Sequence, residues 1–129
     1  MRSKNAEVIQ VSDETAKMLI SFGHVHTFPV ESDLFYEGQI PFVAYLIIEG
    51  KVHFSKNRRN KGTAGAGSLI GFKELYFHTP STIAARVYPD TKVCYLDRSA
   101  ILEIMESVET EDDINFSNFF KEQLLEKAL

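Results

Sequence analysis

Gly67-Ser-Leu-Ile-Gly71-Phe-Lys-Glu-Leu-Tyr-Phe-His-Thr-Pro80-Ser-Thr-Ile-Ala-Ala85 reads as a strand, a glycine turn, one short helical turn and a second strand. A glycine turn that enters a helix presents backbone N–H groups without intrahelical partners. The positive end of the helix dipole adds to them, so the arrangement favours an anion, above all a phosphate. The stretch holds no arginine, and its one lysine, Lys73, sits inside the turn.

Outward from this cradle, residues 25–96 are short runs rich in Val, Ile, Tyr and Phe. They are punctuated by Pro29, Gly38, Pro41, Gly50, the segment Asn57 to Gly67, Gly71, Pro80 and Pro89. Such spacing predicts a mainly β fold, an antiparallel sandwich or jelly roll. The segment 57–67 is the only low-complexity piece, and its length predicts a mobile hairpin connection. Ser12-Asp13-Glu14 starts a segment with Ala16, Leu19 and Ile20. Ser12 or Asp13 is placed to cap it and Gly23 to end it, which predicts a helix over about 12–23. Asp97 or Ser99 starts a second helix with Ile101, Leu102, Ile104 and Met105. Asp112-Asp113 starts a third with Phe116, Phe119, Phe120, Leu124 and Ala128 at spacings of three and four.

The 129 residues form one expected domain, large enough to bury a core without disulfides. Cys94, the single cysteine, lies in the apolar run Val93-Cys94-Tyr95-Leu96 and reads as a small buried thiol in a reducing compartment. The longest apolar stretch, Pro41 to Ile48, falls far short of the ~20 residues of a membrane span, and no apolar run follows the charged start of the chain. A cytoplasmic protein is expected, with no membrane association.

Net charge is −4, distributed unevenly: residues 103–129 carry −6 and residues 1–102 carry +2. An acidic end argues against nucleic acid as its partner, because phosphate contacts need clustered Lys and Arg. The one basic cluster is Lys51, Lys56, Arg58, Arg59 and Lys61, in a segment without acids, and it reads as a solvated hairpin tip.

The order of helix, strands with a turn-helix insert, then two helices resembles the cyclic-nucleotide-binding domain of catabolite-activator-type regulators, protein-kinase-A regulatory subunits and gated channels. The resemblance rests on Phe28-Pro29, Leu34-Phe35, Glu37-Gly38, Tyr45-Leu46-Ile47 and Gly50-Lys51-Val52. These are similar to the family's Pro-x-Gly-x-x-Ile-x-x-x-Gly and Tyr-x-Ile-x-x-Gly-x-Val signatures, in order and spacing. Gly67 and Gly71 resemble the glycines that enter the phosphate-binding cassette, here 67–85, and Asp97-Arg98-Ser99 resembles the start of the helix after the roll. Glu31 departs from the family's usual glycine.

The resemblance implies a double-stranded β-helix, and it also implies two ligand-reading side chains that this sequence lacks. In nucleotide-binding members a glutamate follows the cassette glycine and accepts the ribose 2′-hydroxyl, and an arginine after the cassette proline pairs with the cyclic phosphate. Here those positions hold Phe72 and Ser81. Glu74 is a displaced candidate for the ribose contact. Arg86 lies five residues beyond Ser81, roughly 17 Å away at strand rise. Losing a bidentate guanidinium contact to phosphate weakens binding at least ~10²-fold. The form Gly71-Phe-Lys-Glu followed by Pro80-Ser-Thr is similar to the oxygen-sensing fumarate-nitrate-regulator branch, whose roll holds no nucleotide. One cysteine cannot hold that branch's iron–sulfur cluster.

Other chemistries find less support. His24-x-His26 with Glu31 and Gly38 has the spacing of a cupin metal motif, but the motif's first glycine and its second half are absent, so no metal is expected. Gly62-x-x-Gly65-x-Gly67 lacks the Gly-Lys-Ser/Thr ending of a phosphate loop, and no Gly-x-Ser-x-Gly elbow occurs, so an enzyme is not expected. No helix-turn-helix module is expected after the last helix.

The sequence thus predicts a regulatory or adaptor module with a degenerate cassette (Gly71, Phe72, Lys73, Glu74, Ser81, Thr82), no cofactor, and Phe72 filling the cradle. Phe116, Phe119, Phe120 and Leu124 form an expected interface for a protein partner or a homodimer. The alternative is a sensor of a weakly held cyclic nucleotide or other anion through the 71–74 amides, Lys73, Ser81 and Thr82.

Overall fold

The strand Val43 to Glu49, apolar through Ile48, is the central strand of a two-sheet roll, in a computed structural model that describes residues 8–106. In chain order the elements are β1 (Val8–Gln10), α1 (Asp13–Ile20), β2 (His24–Phe28), β3 (Ser32–Phe35), β4 (Val43–Glu49), β5 (Val52–Lys56), β6 (Arg59–Ala64), β7 (Ser68–Ile70), α2 (Phe72–Phe77), β8 (Ala84–Val87), β9 (Thr91–Asp97) and α3 (Arg98–Glu106). One sheet has the order β1-β7-β4-β9-β2 and the other β3-β8-β5-β6. Every pairing is antiparallel, as the jelly-roll expectation requires. No described helix is long and apolar enough to cross a membrane.

Successive side chains of a strand point to opposite faces, and β4 uses both faces for burial. Tyr45 and Ile47 enter the space between the sheets with Phe35, Phe54, Ile70 and Val87. Ala44 and Leu46 point the other way, joining Leu69, Cys94 and Leu96 under Leu19 of α1 and Ile101 and Ile104 of α3. The five-stranded sheet is therefore covered twice, which explains why its central strand is an unbroken apolar run rather than an alternating one. The four-stranded sheet buries one face only: Val52, Phe54, Ala85 and Val87 face in, and His53, Ser55 and Arg86 alternate with them.

Local chemistry sets the element ends. Ser12 Oγ accepts the Thr15 amide at 3.2 Å and starts α1. The helix stops at Ile20, short of Gly23. Gly23 serves a different need, since a Cβ there would strike the Tyr95 carbonyl and the Cys94 sulfur. Asp97 Oδ1 accepts the Ala100 amide at 2.8 Å and caps α3.

Two expectations change. The segment 57–67 is not one long connection: Asn57 and Arg58, at φ 52° and 66°, make a tight turn, and β6 then pairs with β5 from Lys56↔Arg59 to Val52↔Ala64. Pairing in the hairpin overrides the weak strand propensity of Asn60, Lys61 and Gly62. Strand β1 was not foreseen; it pairs with β7 at the edge of the larger sheet. The helix expected from 112–113, with Phe116, Phe119, Phe120 and Leu124, lies outside the described residues.

Candidate functional site

Gly71, at φ 78°, turns β7 into α2, and its carbonyl accepts the Leu75 amide at 3.0 Å. Positive φ suits glycine, which has no Cβ to strain there. The helix ends at His78, itself at φ 59°, and the Thr79 amide bonds back to the Glu74 carbonyl at 3.0 Å. Arg98 of α3 holds this last turn: Nη1 donates to the Leu75 and Tyr76 carbonyls at 2.7 and 2.9 Å, and the guanidinium lies over the Tyr76 ring at 5.9 Å. A cation on the orphan carbonyls at a helix C-terminus is a favourable cap.

After α2 the chain is stitched to the loop between β3 and β4. The Gly38 amide donates to the Ser81 carbonyl at 2.7 Å, and the Ser81 amide to the Gln39 carbonyl at 2.8 Å. The Ser81 hydroxyl, 3% exposed, turns on its own chain, donating to the Ile83 carbonyl at 2.7 Å and accepting the Ile83 amide at 3.2 Å. Its single proton is committed. Ile83 is buried in the cluster between the sheets with Phe35, Tyr45, Phe54 and Ile70, so side chains occupy the interior behind the cassette.

No family model matches the sequence, and no curated protein matches it either. Solved structures do match. The Thermus thermophilus catabolite activator protein superposes with a TM-score of 0.67 at 21% identity, over 89% of this chain and 52% of that one. This is the cyclic-nucleotide-binding β-roll. A protein of a cyclic-GMP-dependent signalling pathway in bacterial phytopathogenesis gives a TM-score of 0.74 at 14% identity, over 91% of this chain and 94% of that one. The EAL enzyme Bd1971 gives 0.67 at 17%, over 83% and 99%. The chain thus spans about half the length of the catabolite activator, and identities this low establish the fold alone.

Within the β-roll, the sequence-predicted residues separate. Phe72, 1% exposed, does not fill the space between the sheets: it packs into the helix-side core with Leu69, Leu75 and Ile101 and stacks on Tyr76 at 6.2 Å. The reason is periodicity, because a residue directly after the turn glycine starts the face of α2 that meets α3. Glu74 is buried on the same short helix at 2% exposure, Lys73 is half-buried and Thr82 is exposed. Ser81 belongs to the β3–β4 loop contact. The structure therefore places Phe72 in the helix-side core and ties Ser81 to a different part of the roll.

The outer face of the four-stranded sheet carries a polar network that the sequence reading missed. Arg86 Nε lies 3.0 Å from Glu31 Oε2 and Nη1 lies 2.7 Å from Asp33 Oδ1, while His53 Nε2 is 3.3 Å from the same Glu31 oxygen. The Tyr36 hydroxyl donates to Asp33 Oδ2 at 3.2 Å. The hydrogen bond from His53, then that from Arg86, holds the Glu31 carboxyl below its ordinary value. Asp33 and then Glu31 push the Arg86 guanidinium up. A cleft of about 320 Å³ adjoins the network, walled by His53, Tyr88 and Pro89. The available signal was Glu31 itself, an acid just ahead of β3 and two positions before Asp33. Among the described residues no three His, Cys, Asp or Glu side chains are gathered to hold a metal.

Proposed function

We propose that this chain is a non-catalytic regulatory module whose cassette no longer reads cyclic nucleotides and which acts by contact with protein. The observation that carries the reading is the Ser81 hydroxyl. It occupies the position at which nucleotide-binding members place the phosphate arginine, and it spends its proton on Ile83 in its own turn. A cyclic phosphate entering the cassette would meet backbone amides and a neutral, already bonded hydroxyl.

Two further facts support it. Arg86 is engaged with Glu31 and Asp33 on the outer face, so it does not replace the missing guanidinium. The interior is packed with Phe35, Tyr45 and Phe54, each at most 8% exposed. Without a bidentate charge-assisted contact, binding falls at least ~10²-fold, which takes a micromolar ligand to roughly 0.1 mM or weaker. Folds host both enzymes and non-enzymes, so the non-catalytic part of the reading rests on the sequence, which lacks a nucleophile motif or a catalytic carboxylate pair.

Calorimetry with cyclic AMP, cyclic GMP and cyclic dinucleotides tests the reading directly. No heat of binding at micromolar concentrations is expected. A dissociation constant tighter than about 10 μM for any of them overturns it in favour of a sensor with a divergent pocket.

A further inference from the structure

The β5–β6 hairpin carries Lys56, Arg58, Arg59 and Lys61 within six consecutive residues. All four are exposed, and among the described residues none is in an ion pair. Lys56 and Arg59 lie directly opposite each other in the strand register, a like-charge pair that opposes pairing. Asn57 and Arg58 hold positive φ, which costs a residue with a side chain energy that glycine would not spend. The tip is nevertheless fixed: the Asn57 amide donates to Glu37 Oε1 at 2.8 Å, across from the β3–β4 loop. Lys56, Asn57, Arg59 and Lys61 surround a concavity of about 430 Å³. A purely solvated tip gains nothing from concentrating charge in this way, whereas a preorganised cationic seat does once an anion fills it.

The same chain supplies the complement. Glu109, Glu111, Asp112 and Asp113 place four acids within five residues. We propose that the hairpin 56–61 is the docking surface for the acidic segment 109–113 of a second copy of this chain. The inference rests on the reading of the chain as a protein-contact module and names that partner.

Helix α3, which leads to the acidic segment, lies on the outer face of the five-stranded sheet and the hairpin belongs to the other sheet, an arrangement that suits a second copy. Three residues beyond Glu106, at no more than about 3.6 Å each, the acidic segment starts within about 11 Å of the end of α3. Reciprocal docking gives two equivalent contacts and closes a two-fold dimer. A nucleic acid is the poorer occupant, because a chain of net charge −4 repels a polyanion beyond the hairpin itself.

Sedimentation equilibrium of the full chain over a dilution series tests the proposal. The expected result is a monomer–dimer equilibrium that weakens at least tenfold as salt rises from about 0.1 to about 1 M, where the Debye length falls from roughly 10 to 3 Å. Reversing the hairpin (K56E, R58E, R59E, K61E) or the acidic segment (E109K, E111K, D112K, D113K) leaves each variant monomeric, and mixing the two variants restores a heterodimer. A synthetic peptide of residues 109–113 competes with dimerisation of the native chain, a readout that requires no variant to fold. A native chain that is monomeric at all concentrations overturns the proposal; the cations then only shield the β6 edge. So does dimerisation that neither salt nor peptide weakens, or a mixture of folded variants that stays monomeric. Nucleotide calorimetry on the same samples separates the two readings: a salt-sensitive dimer that binds cyclic AMP tightly overturns the cassette reading alone, and a monomer blind to nucleotide overturns this inference alone.

Discussion

Arg86 and Glu31 meet on the outer face of the four-stranded sheet, Nε to Oε2 at 3.0 Å. Ala85 and Val87 point inward, so the residue between them points out, and the arginine next to the cassette in sequence is directed away from the cradle. Two separate features of the sequence, an acid ahead of β3 and a strand arginine, are one feature in space.

That pair predicts an acid-sensitive contribution to stability. His53 and Arg86 lower the folded-state pKa of Glu31 from its ordinary 4.5. The stabilisation is therefore complete above about 4.5 and is lost as pH falls through the lower folded value. Urea midpoints measured across the acid range should drop less steeply for Glu31→Gln than for the native chain. The difference should shrink in high salt, because the pair is exposed. Parallel profiles for the two proteins would contradict the assignment.

The alkaline side has its own reporter. Burial, followed by the nearby Tyr95, pushes the Tyr45 hydroxyl up to about 12, and that hydroxyl donates to the Leu34 carbonyl at 3.1 Å. A raised folded pKa means that the contribution is whole below about 10 and disappears as pH rises through about 12. Tyrosinate absorbance should show a group that titrates near 12, above exposed tyrosines, and Tyr45→Phe should remove it. The variant leaves the Leu34 carbonyl without this donor and should lose about 1–3 kcal/mol at neutral pH.

Much of the roll was legible because its signals are local. Ser12 was a visible cap, Gly71 a visible turn, and the run around Tyr45-Leu46-Ile47 a visible buried strand. What escaped depended on partners distant in sequence. Strand β1 exists because β7 offers its edge, and β6 because β5 pairs it despite its composition. Phe72 is expected to fill the cradle but lies in the helix-side core instead, since a buried aromatic after a turn glycine has two interiors to choose from. Only the packing of α3 against α2 decides between them. The ion pairs of Arg86 join residues 53 and 55 positions apart, beyond any local pattern.

The placement of Phe72 gives a stability prediction with a functional control. Truncation to alanine removes a fully buried ring from the helix-side core and should cost about 3–5 kcal/mol, read as a fall in thermal midpoint. It should not create cyclic-nucleotide binding, because the ring was not blocking the space between the sheets. Calorimetry that finds micromolar binding by Phe72→Ala would place the ring back in the cradle.

Ser81 supplies the sharpest division between a closed cassette and one lacking only its arginine. Ser81→Ala leaves the Ile83 amide and carbonyl without their hydroxyl partner and should cost about 1–3 kcal/mol, with no gain of ligand. Ser81→Arg is the informative variant. If the guanidinium were the only missing element, restoring it would bring cyclic AMP to micromolar affinity. Ligand at a hundred times its dissociation constant would then stabilise the variant by about 2.7 kcal/mol, several degrees in thermal midpoint. The packing of Phe35, Tyr45, Phe54 and Ile83 leads to the opposite expectation. With these side chains in the interior, and Gly38 and Gln39 bonded to the backbone of Ser81, the variant should be less stable than the native chain and its thermal midpoint should not respond to cyclic AMP. A nucleotide-dependent rise in the variant, absent from the native chain, would mean that the interior yields to a ligand and that a single side chain had silenced the site.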